Sequence, residues 1–453
     1  MVSTPESENN RRKSTIQIPF HYPDFGKLLS AQIISNIGSQ FTYMALLFLI
    51  FDLTGNILAM SALSIAEVLP MVLIGPWAGI IIDRIDRKHS MVIASLTQSV
   101  IVATIPLTTL LPARELWILP LAFLNASAAR FFFPARGASI PKLVNSEDLF
   151  AANSLSAATF QLSTLIGPVL AGVTLGFLDY NIAFWIDAVS FIIAAFIILT
   201  ISTNLKVSEE QKDDSNGGRA VKKNNPLDDL KTSLNFAVKF PPILYMISFF
   251  SLLMFFGGSV LTLMIPFLEL EMGLTDKGFR EVYYGIVTAI SASAGLVSAV
   301  IISRREELKK PLTIMTSTLP LVSVILLSFF FITDLVSLAI VWTCFGTIQV
   351  FVGIPIQTLA QETVPDHLRG KILSFLFLSV SIAQITGMGV VGIEASLFGI
   401  RETFLINGLS ISVAAAICFV QIGKYSLEKA VAEQKEKMRE LKRSNREISA
   451  LPT

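Results

Sequence analysis

Residues 57–88 read ILAMSALSIAEVLPMVLIGPWAGIIIDRIDRK. The stretch to residue 82 carries a single charge, Glu67, whereas the six residues after it carry five: Asp83, Arg84, Asp86, Arg87 and Lys88. A helix over 57–82 would rise about 39 Å at ~1.5 Å per residue, enough to cross ~30 Å of hydrocarbon. Backbone groups in lipid must be hydrogen-bonded within their own segment, so the stretch predicts a crossing helix. The basic turn after it belongs at the headgroups.

The same reading extends along all 453 residues. Stretches 28–50, 91–111, 149–178, 240–268, 282–303, 311–333, 335–361, 372–393 and 403–423 have no charge at all. Stretch 180–205 has one acid, Asp187, and 116–135 carries Arg130. Together with 57–82 these make twelve transmembrane helices, an all-α membrane protein. Composition agrees: 53% of residues are hydrophobic and 15% charged, against about a quarter charged in soluble chains. A soluble multidomain enzyme is excluded. The 35 basic and 34 acidic residues leave a net charge of +1, which gives no reason to expect a nucleic-acid partner. Two cysteines exclude a disulfide scaffold or a cysteine-rich metal site. Cys344 and Cys418 sit in apolar segments and are expected as small fillers. His21, His89 and His367 fall in polar segments without metal-ligand or catalytic spacing, so no catalytic residue, metal or cofactor is expected. No G-x-x-x-x-G-K-[ST] loop occurs, so the driving force is expected from an ion gradient or from the substrate's own.

Sidedness follows from lysine and arginine. Thirty of the 35 fall in the N-terminus, the loops near 83–90, 136–148, 204–239, 303–310 and 365–371, and the tail from 424. The other side has Arg114, Lys277, Arg280 and Arg401, with Arg130 inside the membrane. Both termini are therefore expected in the cytoplasm. Residues 1–24 are polar and unlike a secretory leader, so the first helix is expected to stay as an anchor.

The chain also repeats itself at an offset of 220 residues. Gly38, Ser39, Thr42 and Met44 meet Gly258, Ser259, Thr262 and Met264; Gly75 and Arg84 meet Gly295 and Arg304. Val144, Ser154, Gly167 and Gly172 meet Val364, Ser374, Gly387 and Gly392, and FWIDAVS at 184–190 meets FLINGLS at 404–410. Apolar matches between membrane helices are common, but glycines and a loop arginine in fixed register are not. Two pseudo-symmetric six-helix bundles are expected, related about an axis along the membrane normal. The boundaries read as a tail 1–24, a first bundle 25–203, a linker 204–240, a second bundle 241–424 and a tail 425–453. The linker is flexible by composition, and the charged last tail can extend the last helix into the cytoplasm and is expected as a solvated, lipid-touching segment rather than a partner-binding coil.

Gly79-Ile-Ile-Ile-Asp83-Arg84-Ile-Asp86-Arg87-Lys88 resembles the signature of the major facilitator superfamily, G-x-x-x-D-R-x-G-R-[RK], with Asp86 where glycine is usual. The resemblance implies a cytoplasmic gate in which Asp83 meets the eleventh helix, expected to start near Arg369-Gly370-Lys371. On the fifth helix, Ser154, Ser163 and Gly167-Pro168-Val-Leu-Ala171-Gly172 resemble the antiporter signature of the same superfamily, with serine or alanine at three glycine positions. Ordinary small-residue packing is the other reading. Phe133-Pro134-Ala135, Ile140-Pro141, Trp185-Ile186-Asp187 and Val364-Pro365-Asp366-His367-Leu368-Arg369-Gly370-Lys371 resemble the third drug:proton antiporter subgroup, over nearly all of 25–424. That subgroup holds macrolide efflux proteins and the enterobactin exporter, and lysophospholipid transporters share many of these turns. The resemblance implies proton-coupled efflux of amphipathic small molecules by alternating access, as a monomer in a prokaryotic plasma membrane. A siderophore or lysophospholipid transporter, or an uncoupled facilitator, is the alternative on the same fold.

Charges inside the membrane are costly and usually face a cavity or a partner. Glu67 is expected as the principal proton carrier, or as a carboxylic acid bonded to a neighbour. Asp187 is read either as a coupling acid or as a structural one. Arg130 either offsets Glu67 or snorkels to the surface, and Glu394 is expected at the interface. Gln32, Asn36 and Gln40 form a stripe at helical spacing, to which later helices add Gln349, Gln357 and Gln384. These amides are expected to line a cavity, with interhelical bonding as the alternative.

Overall fold

The structure, a computed structural model, describes residues 17–82, 85–205, 226–303, 311–424 and 426–437. Twelve helical crossings run in chain order: α1 (Pro23–Thr54), α2 in two pieces (Ile57–Leu73 and Gly75–Ile82), α3 (Arg87–Leu107), α4 (Arg114–Leu143), α5 (Leu149–Phe177), α6 (Tyr180–Leu199), α7 (Pro241–Pro266), α8 (Lys277–Ser303), α9 (Pro311–Ser328), α10 (Leu335–Thr363), α11 (Asp366–Phe398) and α12 (Ile400–Lys424). Eleven are long and apolar enough to span a bilayer unaided. The exception is α2, which is interrupted at Ile74. Pro76 has no N–H to give to the carbonyl of Val72, so the helix restarts there rather than running unbroken over 57–82. Among the described residues no strand occurs.

The repeat is visible in the helix starts. Adding 220 to Ile57, Arg114 and Tyr180 gives 277, 334 and 400, and α8, α10 and α12 begin at Lys277, Leu335 and Ile400. It also governs packing. Between the bundles, α5 lies along α8 and α2 lies along α11, two pairings that the repeat relates to each other. A Cβ on Gly172 of α5 would lie 2.6 Å from the carbonyl oxygen of Glu281 on α8. A Cβ on the equivalent Gly392 of α11 would lie 2.1 Å from Oγ of Ser61 on α2, the residue equivalent to Glu281. Within the bundles, Gly167 seats α5 on Gln40 of α1, and Gly387 seats α11 on Phe255 of α7. Small residues thus let backbones approach at corresponding places in both halves.

We call the side bearing the loop at 85–90 the basic side. The close approaches of Gly172, Gly176 and Gly392 lie toward the opposite side, where the bundles are pressed together. Phe267, Phe329 and Phe404 stack there in the second bundle, ring centroids 4.3–5.9 Å apart. These phenylalanines are packing.

Two segments on the basic side differ from expectation. The segment expected as a flexible linker contains a helix, Pro226–Lys239, that packs on α11 and α7 and buries Ser233 and Ala237. The last tail, expected to be solvated, forms a helix over 427–437. It buries Leu427 and Val431, and Glu428 accepts from the amide and hydroxyl of Thr313 at 2.6 and 2.9 Å. Its Lys435 pairs with Glu362 at the end of α10. Both segments carry apolar residues at helical spacing, and burying these outweighs the polar composition around them.

Candidate functional site

At mid-depth, Glu67 of α2 is half-buried and faces Arg130 of α4 and Tyr43 of α1. No hydrogen bond or contact ion pair reaches the Glu67 carboxyl among the described residues. Arg130 does not snorkel to the basic side; its Nη1 points at Sδ of Met71, 3.5 Å away and one turn along α2 from Glu67. Its Nε shares the carbonyl of Ala126 on its own helix. The acid and base therefore sense each other electrostatically without touching.

Asp187 of α6 is fully buried beside Gly38 of α1. Its Oδ1 accepts from Ser190 at 3.1 Å, and the buried hydroxyl of Thr42 on α1 faces the carboxyl, although among the described residues neither Oδ2 nor that hydroxyl meets hydrogen-bond geometry. A Cβ on Gly38 would lie 2.6 Å from Oδ1. This acid is locked between α1 and α6 and is not brought to Glu67. At the equivalent position in the second bundle, Asn407 donates to Glu394 at 3.2 Å, which makes Glu394 an interhelical partner.

The amides divide. Gln32 is 1% exposed; its Nε2 donates to the carbonyl of Ser156 at 2.8 Å and to Thr159 at 2.7 Å, and its Oε1 accepts from Ser156. It joins α1 to α5 and lines nothing. Asn36, one turn on, is half-buried with Nδ2 unpartnered, and Gln40 lies against Gly167. Gln349 is exposed on α10 and Gln384 half-buried on α11. The side chain of Gln357 lies outside the described residues. Cys418 is buried as expected of a filler, but Cys344 is exposed.

The antiporter-like stretch serves two contacts at once. Gly167 meets α1, Ala171 is buried, and Pro168 and Gly172 meet Gly285 and Glu281 of α8. Of the gate-like stretch, Asp83 and Arg84 lie outside the described residues. Among the described residues nothing lies within 4 Å of where a Cβ on Gly79 would sit. Arg87 donates to the carbonyl of Ala138 on α4, and Lys88 to that of Ile201 beyond α6, each at 2.8 Å. Asp86 caps α3, accepting from the amides of Lys88 and His89 and pairing with the His89 ring. Burial pushes its carboxyl up, but the side-chain and backbone hydrogen bonds of His89 and the Lys88 amide outweigh this and hold it below the usual range. An acid here in place of glycine is thus an N-cap.

A second polar centre lies on the opposite side, where the sequence alone marks Lys277 and Arg280 only as two of that side's four basic residues. Arg280 of α8, 1% exposed, donates to Asp52 of α1 at 2.8 Å, to Glu281 at 3.0 Å and to Glu269 in the π-helical turn after α7. It also stands 5.0 Å over the ring of Phe48. Lys277 pairs with Asp52 at 2.8 Å, and Tyr180 of α6 reaches both Asp52 and Glu281. These contacts tie the two bundles together across the side that is pressed shut. The signal for them was acids and bases at the ends of α1 and α8 on the side otherwise poor in charge.

Two repeated six-helix bundles, gripping each other on one side and holding a half-buried acid and base at mid-depth in the first bundle, define a membrane transporter. The family model for the Major Facilitator Superfamily matches residues 28–387, and the chain belongs to that superfamily. It is similar to macrolide efflux protein A of Streptococcus pyogenes, 22% identical over 402 residues, covering 87% of this chain and 95% of that one. It is also similar to the staphyloferrin A transporter of Staphylococcus aureus, 23% identical over 399 residues, covering 84% and 92%. Among solved structures, a bacterial homologue of the human lysosomal transporter Spinster, in an inward-facing and occupied conformation, superposes with a TM-score of 0.70 at 12% identity, covering 89% of this chain and 97% of that one. That likeness concerns the fold.

Proposed function

We propose that this transporter is a proton-coupled exporter of amphipathic, mostly uncharged small molecules, working by alternating access. The observation that carries the reading is Glu67: an acid at mid-membrane with no hydrogen-bond partner among the described residues, opposed by Arg130 at a distance. Burial of a carboxylate is costly, so exchange of a proton for substrate at this place offers a coupling device. Asn36 and Gln40 on α1 supply uncharged hydrogen-bonding groups suited to such ligands. Asp187 and the remaining amides Gln349, Gln357 and Gln384 are secondary candidates. Both termini are cytoplasmic in this reading, which rests on the charge asymmetry, and the protein is a monomer in a bacterial plasma membrane with bundle boundaries at 25–203 and 241–424. The similarity to macrolide efflux protein A supports export of drug-like compounds. The similarity to the staphyloferrin A transporter, together with Arg130 in the membrane, supports an anionic siderophore as the second reading.

The test is efflux of hydrophobic cations, macrolides and siderophores from a pump-deficient host, with and without a protonophore. Reduced accumulation on expression, abolished by the protonophore and by Glu67→Gln, is the expected result. Accumulation indifferent to both expression and protonophore overturns the proposal, and protonophore-sensitive export that survives Glu67→Gln removes Glu67 from it.

A further inference from the structure

The contacts around Tyr180 require more protons than the phenol has. Its Oη lies 2.7 Å from Oδ2 of Asp52 and 2.5 Å from Oε1 of Glu281, and each contact between two oxygens at such distances needs a hydrogen between them. Tyr180 supplies one. The second must sit on a carboxyl. Asp52 receives Arg280 and Lys277 at 2.8 Å each and is therefore the ionised partner. Glu281 is fully buried, receives one cation rather than two, Arg280 at 3.0 Å on Oε1, and its Oε2 has no hydrogen-bond partner among the described residues. With every group ionised, Arg280 and Lys277 face Asp52, Glu269 and Glu281, leaving one negative charge in excess. A proton on Glu281 removes the excess and completes the bonds: Glu281 donates to Tyr180, and Tyr180 donates to Asp52.

Packing alone does not call for these groups. At the interface that the repeat relates to this one, Ser61 stands for Glu281, Met60 for Arg280 and Ile57 for Lys277, and α2 still closes on α11. The other element facing Glu281, α5, presents Gly172 and Gly176 there and has no titratable side chain along its length. Tyr284, one turn along α8, packs on Phe48.

We propose that Glu281 is a proton-binding site that controls the side of the transporter away from the basic loops. It takes one proton from water as that side closes around Arg280, and returns it to water as the side opens and the carboxylate is rehydrated. No other bond changes. The inference goes beyond the exporter reading and does not depend on Glu67 carrying a proton.

Spin labels at the exposed positions Leu110 and Phe331, in the loops after α3 and α9, report the separation of the bundles on that side. Cys344 and Cys418 are replaced by serine, and the full chain is measured in nanodiscs from pH 5 to pH 9. The expected result is a shift from short to long distances as pH rises. Glu281→Gln keeps the short distance at all pH values, because the amide nitrogen donates to Tyr180 in place of the bound proton. Tyr180→Phe, close to isosteric, removes that acceptor and moves the midpoint to lower pH by about one unit, tenfold in proton concentration. Glu67→Gln retains the response whether or not it exports, so failure of the exporter reading leaves this test standing. A wild-type distance indifferent to pH, an unchanged response in Glu281→Gln, an unmoved midpoint in Tyr180→Phe, or loss of the response in Glu67→Gln each overturns the proposal.

Discussion

Gly172 of α5 and Glu281 of α8 approach so closely that a Cβ on the glycine would lie 2.6 Å from the glutamate's carbonyl oxygen. Backbone cannot retract as a side chain can, so any larger residue at 172 must hold the bundles apart on this side. Gly172→Val is expected to disfavour the closed arrangement by about 1–3 kcal/mol, or about five- to 150-fold in its population. The check is labelling of a cysteine that replaces the larger, half-buried Val282 facing Gly176 across this contact: faster in the variant than in the parent, with the export rate lowered. Equal labelling rates would show that the contact does not limit closure.

Arg280 joins helices from both bundles while being almost wholly removed from water. Removing one partner of a buried ion pair leaves the other uncompensated, which costs about 3–5 kcal/mol. Arg280→Met leaves Glu269 and Glu281 without this cation and Asp52 with Lys277 alone, and is expected to lower the thermal stability of the detergent-solubilised protein. Adding Asp52→Asn to Arg280→Met is expected to restore part of the loss, since one of the clustered acids goes. Additive losses in the two single variants would show that the pair is not coupled.

Asp86 gives a pH dependence with a definite sign. Its carboxyl is held below its usual range in the folded chain, so its contribution to stability is complete above the ordinary aspartate value and is lost as pH falls through the lowered one. Acidification from pH 7 to below pH 4 is expected to loosen the start of α3, read by proteolysis in the 85–90 loop. Asp86→Asn keeps an N-cap and should flatten that acid dependence, whereas Asp86→Ala costs about 1 kcal/mol at neutral pH. Acid-induced cleavage of equal extent in Asp86→Asn and parent would refute the assignment.

The crossings and the repeat were legible because they are one-dimensional properties. Hydrophobic length locates α1 to α12 whatever they touch, and the offset that pairs Ile57 with Lys277 survives any arrangement of the bundles. Contacts are a different matter. The spacing of Gln32, Asn36 and Gln40 puts them on one face, but which helix covers that face depends on Ser156 and Thr159, 124 and 127 residues away. The break at Ile74 was signalled by Gly75-Pro76 but masked by the unbroken apolar run around it. Tyr180, Asp52 and Arg280 are separated by up to 228 residues and each has an ordinary place at a helix end. Only the fold brings them together.

The division among the amides can be measured. Gln32→Leu removes three hydrogen bonds between α1 and α5, leaving the Ser156 hydroxyl and the Thr159 side chain short of a partner, and is expected to cost about 1–3 kcal/mol of stability. The export profile across substrates should stay as in the parent. Asn36→Ala and Gln40→Ala should do the reverse, changing relative efflux among substrates with little change in melting temperature. A changed substrate profile in Gln32→Leu at unchanged stability would return that residue to the cavity.

Glu428 accepts from the amide and hydroxyl of Thr313 in the first turn of α9, where unpaired N–H groups and the helix dipole favour a negative charge. The tail helix is thereby fastened at its start to α9, by Lys435 to Glu362, and by Gln434 to the carbonyl of Thr363 at the end of α10. Deleting residues 426–453 exposes Leu427's and Val431's seats and leaves the start of α9 uncapped, so the second bundle should lose stability while the first does not. Glu428→Ala isolates the cap and is expected to cost about 1 kcal/mol, with Glu428→Gln in between because the amide oxygen still accepts. Hydrogen exchange resolved by peptide is the check. Faster exchange in the first turns of α9 and unchanged exchange in α3, the equivalent helix of the first bundle, is the expected pattern, whereas equal exchange of α9 in Glu428→Ala and parent would mean that the tail rests on the bundle without bracing it.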